Sequence, residues 1–246
     1  MSFGLKVPVL EAGKAWFLSQ LGKYVPGKVT LFLVRLDAYR GYSKRKVAVA
    51  TGVEYIALLA SASILILVAL ASASQIVPYY IQWVAGVGTF LFLLILWPPL
   101  SMRLVNWGFK LLKREPIEEF PSYGLLLKFV GAYIFASLLN GMGLFFAINS
   151  LSPVNFTYFL IIAGIYEAAG LIGIAAVFAP SGIGVREGVL LLILPIFIPK
   201  PTVIVSTIAI RLIATITELF LSGVFVVAEK IWAKQNERII TEKKNV

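Results

Sequence analysis

The chain contains no cysteine and no histidine. Without cysteine there is no disulfide framework, thiol nucleophile, zinc–thiolate site or iron–sulfur cluster. Without histidine, imidazole acid/base work, Ser-His triads and the commonest metal ligand are excluded. Charge is scarce as well. Charged residues make up 14% of the chain, against about 25% in soluble domains. Tyr55 to Met102 carries none, and neither does Phe129 to Tyr166. Apolar residues fill the space instead, at 59% of 246 residues with a mean hydropathy of +0.90. That content excludes disorder and leaves no room for a soluble single-core domain. The 22 Lys/Arg against 12 Asp/Glu give a net charge of +10. In this context the excess reads as the positive-inside bias of a polytopic membrane protein, not as a nucleic-acid surface, and nucleic acid is not an expected partner. Basic flanks also suit anionic lipid headgroups, so membrane lipids, anionic ones in particular, are the expected partners.

A spanning helix needs about 20 mostly apolar residues. Residues 47–71, 79–97, 123–148, 158–179 and 203–228 meet that requirement. The second opens at Pro78 and closes at Pro98-Pro99, and Tyr79, Tyr80, Trp83, Trp97 and Trp107 sit where an interfacial belt belongs. Residues 1–10 lack a basic stretch followed by an apolar one, so the first spans are expected to act as their own insertion signals. Nine Lys/Arg precede residue 47, ending in Lys44-Arg45-Lys46. The stretch after the second span holds Arg103, Lys110, Lys113 and Arg114, and the tail holds Lys230, Lys234, Arg238, Lys243 and Lys244. The connections 72–78 and 149–157 hold none. The basic segments, including the N-terminal part and the tail, are therefore expected in the cytoplasm and the bare loops outside. Residues 101–113 read as an amphipathic helix lying in the interface. The expected fold is all-α: one integral membrane domain of five to seven helices. Residues 1–46 form a basic N-terminal part, 47–228 the bundle, and 229–246 a charged tail.

Two apolar segments are interrupted, at Tyr24-Val25-Pro26-Gly27-Lys28 and at Ala179-Pro180-Ser181-Gly182-Ile183-Gly184. Their halves are too short to cross a bilayer alone, which predicts broken or re-entrant helices. The parity of residues 188–198 decides where the last span ends, and the basic tail favours a crossing. Gly/Pro breaks in corresponding places of two apolar segments point to a substrate site in transporters built from repeats.

Four ionisable residues fall within spans: Glu54, Glu167, Arg211 and Glu218. Each costs roughly 2.5–3.5 kcal/mol at a bilayer centre and so requires a partner or a wet cavity. Arg211 and Glu218, seven apart, share a helix face and either reach for one another or bracket one polar site. Glu167 has small neighbours, Gly164, Ala168, Ala169 and Gly170, which permit close helix approach. The four either line a polar path or form a network that orders helices. Three acids against one base leave the set unbalanced, so that one acid is protonated or a cationic group binds.

The run Pro180-Ser181-Gly182-Ile183-Gly184-Val185-Arg186-Glu187-Gly188 has readable chemistry. Pro180 ends the preceding helix. Gly182 and Gly184 permit backbone conformations closed to other residues. Free N–H groups backed by the positive end of the next helix then face an incoming anion. Arg186 adds a forked, permanent charge suited to phosphate. Glu187 stands in the first turn, where it can also hold Arg186. The pattern is neither a P-loop nor a dinucleotide fingerprint. Around the first break, Lys23, Lys28 and Arg35 with Pro26 and Gly27 either contact substrate or are cationic residues of the cytoplasmic edge.

The run from Pro180 to Glu187 resembles the Pro-Gly-Gly-x-Gly-x-Arg-Glu signature of the lysylphosphatidylglycerol synthase transmembrane region, a flippase-like family. Leu21-Gly22-Lys23-Tyr24-Val25-Pro26-Gly27-Lys28 is similar to that family's first broken segment, and Gly41-Tyr42-Ser43 leading into the span with Glu54 also fits. The resemblance covers roughly residues 18–228. Ser181 stands where the family has glycine, and the chain starts closer to the first break than relatives do. The resemblance implies a lipid role. It is not expected to carry over synthase activity, which in relatives belongs to a soluble domain. It implies binding and translocation of an anionic lipid or polyprenyl-phosphate-type substrate through Pro180, Gly182, Gly184, Arg186 and Glu187, with Ser181 between them as a further candidate contact. Pro26, Gly27, Lys28 and Arg35 would supply the first-break side of that site. Two other readings stand beside it: a membrane enzyme acting on a lipid headgroup through carboxylates such as Glu187 and Glu218, or a structural partner subunit. A second copy of the chain or a separate lipid-modifying enzyme is the expected protein partner. No cofactor, metal or catalytic residue is expected.

Overall fold

The computed structural model describes residues 7–25, 29–73, 78–111, 113, 115–116 and 120–244, with the backbone alone for residues 29, 233 and 235–244. Among these residues there are nine α-helices and no strand. The protein is all-α. The helices are α1 (Val9–Leu21), α2 (Val29–Ala38), α3 (Lys44–Ser72), α4 (Tyr79–Ile95), α5 (Pro98–Leu111), α6 (Tyr123–Asn149), α7 (Phe159–Ala175), α8 (Val185–Ile193) and α9 (Lys200–Lys244).

Four of them are long and apolar enough to cross a membrane: α3, α6, α7 with the turn before it, and α9. The pair α4 and α5 is bent by 76° at Leu96–Trp97, where Pro98-Pro99 cannot continue the ladder. Two expected boundaries shift. The span at 158–179 ends as a helix at Ala175, because the chain unwinds through Ala176 to Ala179 ahead of Pro180. The span at 203–228 continues without a break through the tail.

The other elements are short because the sequence breaks them. Helix α2 has 10 residues and α8 has 9, about 15 and 13 Å long, roughly half the hydrocarbon core. Each doubles back on its predecessor. In the first hairpin α2 returns beside α1, with Arg35 Nε donating to Ser19 Oγ (3.1 Å) and Tyr42 Oη donating to Glu11 (3.2 Å). Gly22 makes the crossing possible: a Cβ there would stand 2.7 Å from the Leu31 backbone. In the second hairpin α8 returns beside α7, so that Phe197 meets Tyr158 near the start of α7 (5.8 Å between ring centroids).

Contacts fix the directions. Helix α1 runs antiparallel to α9: Lys14 pairs with Glu229 (2.9 Å), Phe17 stacks on Phe225, and Lys23 reaches Glu218. Helix α7 packs along α3, where Gly164 lies on Ala69. Arg45 and Lys44 at the start of α3, the start of α6 and the Glu229 end of α9 share one face of the bundle. The ends of α3 and α6 and the start of α9 share the other. There Leu144, Ile148, Phe159, Leu194, Ile198 and Val203 form one buried cluster. The first hairpin dips from the basic face and the second from the opposite, nearly bare face. Helix α9 starts at the bare face, so its tail returns to the basic one. Residues 188–198 do not cross as expected: they reach the bare face as the return arm of the second hairpin, because nine helical residues are too short for a crossing.

The result is an inverted pair of units. Each is a hairpin followed by a long helix, and the hairpin's first arm packs on the long helix of the other unit: α1 on α9, α7 on α3. The two hairpin tips, Gly22–Tyr24 and Pro180–Gly182, meet inside the bundle.

Candidate functional site

The tips meet beside the middle of α9. The apolar stretch of that helix runs over Lys200–Trp232, 33 residues, and Arg211 and Glu218 stand in its central third. They lie two turns apart on one face, and each engages a different hairpin. Arg211 Nη2 donates to the Ser181 carbonyl (3.0 Å), and its Nη1 pairs with Glu187 (3.1 Å). Glu218 accepts from Lys23 Nζ and from Tyr24 Oη (2.9 Å), whose hydroxyl also lies 3.3 Å from Thr215 Oγ1. The two residues thus bracket one polar site rather than reaching for one another.

The second tip is built by its backbone. Ser181 adopts φ +50°, Gly182 +68° and Gly184 +81°. Gly182 also lies against Gly173: a Cβ on Gly182 would stand 2.9 Å from the Gly173 Cα. The loop's N–H groups do not form the free cradle that the sequence suggests. Gly182 N–H donates to the Ala179 carbonyl (3.0 Å), Ile183 N–H to Pro180 (2.9 Å) and Gly184 N–H to the Glu187 carboxylate (2.7 Å). A tight turn uses its own donors, and an acid in the first turn caps the helix it opens. Glu187 therefore holds Arg211 and the α8 N-terminus, and not Arg186 as expected.

Arg186 is held by shape instead. Its stem runs over Gly173, where a Cβ would come within 2.5 Å of its Cγ, and its guanidinium lies 5.0 Å from the centre of the Tyr166 ring. Among the described residues no carboxylate comes within ion-pair distance of it. Thr207, one turn before Arg211, is 3% exposed and its hydroxyl has no partner; Ser206 Oγ beside it is in the same condition. Lys23, Arg186, Arg211, Glu187 and Glu218, with Tyr24, Tyr166, Ser181, Thr207 and Thr215, line one recess of about 410 Å³ counting its mouth. Among the described lining residues three side chains are positive and two negative. Lys23 pairs with Glu218 and Arg211 with Glu187, while Arg186 has no ion pair there and interacts at longer range with Glu167.

Of the residues singled out in the sequence, Pro180, Ser181, Gly182, Gly184, Arg186, Glu187, Arg211 and Glu218 come together here. Glu167 stands just behind Tyr166, outside the recess, with its carboxyl hydrogen-bonded to the Ser137 hydroxyl on α6. Arg35 and Glu54 form a separate cluster nearer the basic face. Arg35 is 3% exposed, paired with Glu54 and bonded to Ser19, while Trp16 Nε1 donates to Glu54 (2.8 Å) and Tyr133 also bonds it. This cluster ties α1, α2, α3 and α6 together, and it is not part of the recess. Pro26, Gly27 and Lys28 lie outside the described residues. The sequence reading missed Tyr24, Tyr166, Gly173 and Thr207. One signal was available: Gly173 and Gly170 lie three apart on the face of α7 that must accommodate a long side chain.

No protein-family model matches the chain, and neither a curated protein nor a solved structure does. The resemblance noted above therefore stands on the motif residues alone.

Proposed function

We propose that this protein binds an anionic lipid, or a lipid-linked phosphate of the polyprenyl type, between its two hairpin tips and carries the headgroup across the bilayer. The observation that carries the reading is the guanidinium of Arg186, which has no ion-pair partner among the described residues, in a polar recess beside the middle of α9. A cation without a direct partner in such a place is costly, and an anion that arrives with its own acyl chains relieves that cost while the chains stay in lipid. Arg186 would take phosphate oxygens bidentately. The opposed hairpins support a path, since each tip closes the recess toward one face and inverted units of this kind can exchange their roles. Under this reading the protein lies in the cell membrane with its basic face and tail in the cytoplasm.

The test is translocation of labelled anionic lipid in proteoliposomes, wild type against Arg186→Gln, with thermal melting in detergent as a check on folding. Transport by the wild type that falls to the protein-free rate in a folded Arg186→Gln variant is the expected outcome. A wild type that moves none of several anionic phospholipids and polyprenyl phosphates would reject the reading.

A further inference from the structure

Resting on the reading above, we infer that Glu167 is a proton site coupled to the anion site at Arg186, so that an anionic headgroup and a proton occupy the protein together. Glu167 stands at the middle of α7 and follows Tyr166, whose ring carries the Arg186 guanidinium at 5.0 Å. Gly170 lies one turn on along the same face, and a Cβ there would stand 3.7 Å from Arg186 Nη2. The guanidinium therefore spans the turn of α7 in which Glu167 stands. The carboxyl itself turns to α6, where the Ser137 hydroxyl is its hydrogen-bond partner, and Arg186 is the cation that acts on it.

Among the described residues the packed elements offer no other counter-charge. Helix α3, which lies along α7, has no ionisable residue after Tyr55. Helix α6 carries Tyr123 and Lys128 in its first turns and Tyr133, which bonds Glu54. On α8, Glu187 holds Arg211 and the Gly184 N–H, and across the recess Lys23 holds Glu218. A carboxylate within a span needs a counter-charge, and the cation that supplies one here is the group an incoming phosphate takes. Once phosphate oxygens engage Arg186, one cation faces two anions, and neighbouring like charges disfavour ionisation. The carboxylate then takes up a proton from water, and its new O–H donates to Ser137 Oγ. A hydroxyl donates to a carboxylate and accepts from a carboxylic acid equally well, so Ser137 serves both states. Release of the anion returns the proton. The linkage is reciprocal: the bound anion favours the proton, and low pH favours the anion. A singly charged headgroup and a proton carried together move no net charge, and a proton gradient can drive the pair.

The experiment uses the detergent-purified full chain and dioctanoyl phosphatidylglycerol, a diester that does not titrate in the range used, unlike a monoester with its second pKa of about 6. Binding is measured from about pH 5.5 to 8.5, with proton uptake followed by an indicator dye in weak buffer. Affinity is expected to rise as pH falls, by up to about tenfold per pH unit where Glu167 titrates, with uptake of up to about one proton per lipid bound. Glu167→Gln keeps the shape and a partner for Ser137. It should bind at all pH values as the wild type does at low pH, and take up no proton. Ser137→Ala, which removes the carboxyl's partner, should move the pH interval, and it serves if Glu167→Gln fails to fold. Wild-type affinity that is independent of pH, without proton uptake, would overturn the proton site and leave the anionic-lipid reading intact. So would a folded Glu167→Gln variant that keeps the wild-type pH dependence, because the proton would then sit elsewhere. Absence of binding at every pH would reject that reading and this inference with it.

Discussion

At the scale of single residues, one glycine decides whether Arg186 can stand where it does. Gly173 is the tightest: a Cβ there meets the Arg186 stem at 2.5 Å, whereas one on Gly170 meets its Nη2 at an ordinary 3.7 Å. Gly173→Ala should therefore cost about 1–3 kcal/mol of stability through overpacking and weaken anion binding, while Gly170→Ala should leave both nearly unchanged. Thermal melting and lipid binding of the two variants side by side check this, and equal effects would contradict the placement of Arg186. Ser181 offers the opposite case. It holds φ +50°, a left-handed conformation that costs an ordinary residue roughly 1–2 kcal/mol. Glycine there gains the conformation but loses more freedom on folding, by about 0.5–1 kcal/mol. Ser181→Gly is expected to stabilise by up to about 1 kcal/mol, read as a raised melting temperature. A clear loss would mean that the serine hydroxyl has work to do.

At the scale of elements, the molecule is organised by two hairpins that clasp one helix. The first tip holds α9 through Lys23 and Tyr24 on Glu218, the second through Ser181 and Glu187 on Arg211. Lys23→Glu and Glu218→Lys should each destabilise, and the double exchange should recover much of the loss. A coupling of about 1–3 kcal/mol is expected for groups in direct contact. Additive losses would mean that the tip is not held there. Most of this scale was legible in the sequence. Pro180-Ser181-Gly182 marks the second break because proline ends a helix and glycine turns it, and the halves of both interrupted segments were visibly too short to cross. The pairing of α1 with α9 and of α7 with α3 was not legible. It depends on glycine-to-side-chain fits such as Gly13 on Phe225 and Gly164 on Ala69, and no periodicity announces which helix a small residue will face. For the same reason Arg35, which looked like part of the site, belongs to the Glu54 cluster. Like Arg186 it follows a Gly/Pro break, at eight to nine residues against four to six, but the partner across from it could not be read from spacing.

At the scale of the whole molecule, the inverted arrangement makes a topological prediction that is easily tested, since the chain has no cysteine of its own. Lys44→Cys should be labelled by an impermeant maleimide from one side of a sealed vesicle, and Ser150→Cys and Lys200→Cys from the other. If Lys200→Cys were labelled with Lys44→Cys, the α7–α8 hairpin would not return to its starting face, and the inverted pair would be wrong. The charge bias leads to an expected assignment of faces, from which Lys200 at the bare face departs. The site itself was half legible. Its ionised residues stood out because charge is rare in this chain. The groups that shape it, Tyr166, Thr207 and Gly173, are common residues in membrane helices, and only their convergence distinguishes them.

The central claim is that an anionic headgroup sits where the two tips meet, and the most direct measurement is the structure of the protein in nanodiscs containing phosphatidylglycerol. Phosphate density is expected against the Arg186 guanidinium, with Lys23–Glu218 and Arg211–Glu187 still paired. A recess without lipid density, with Arg186 turned onto a carboxylate such as Glu167, would contradict it.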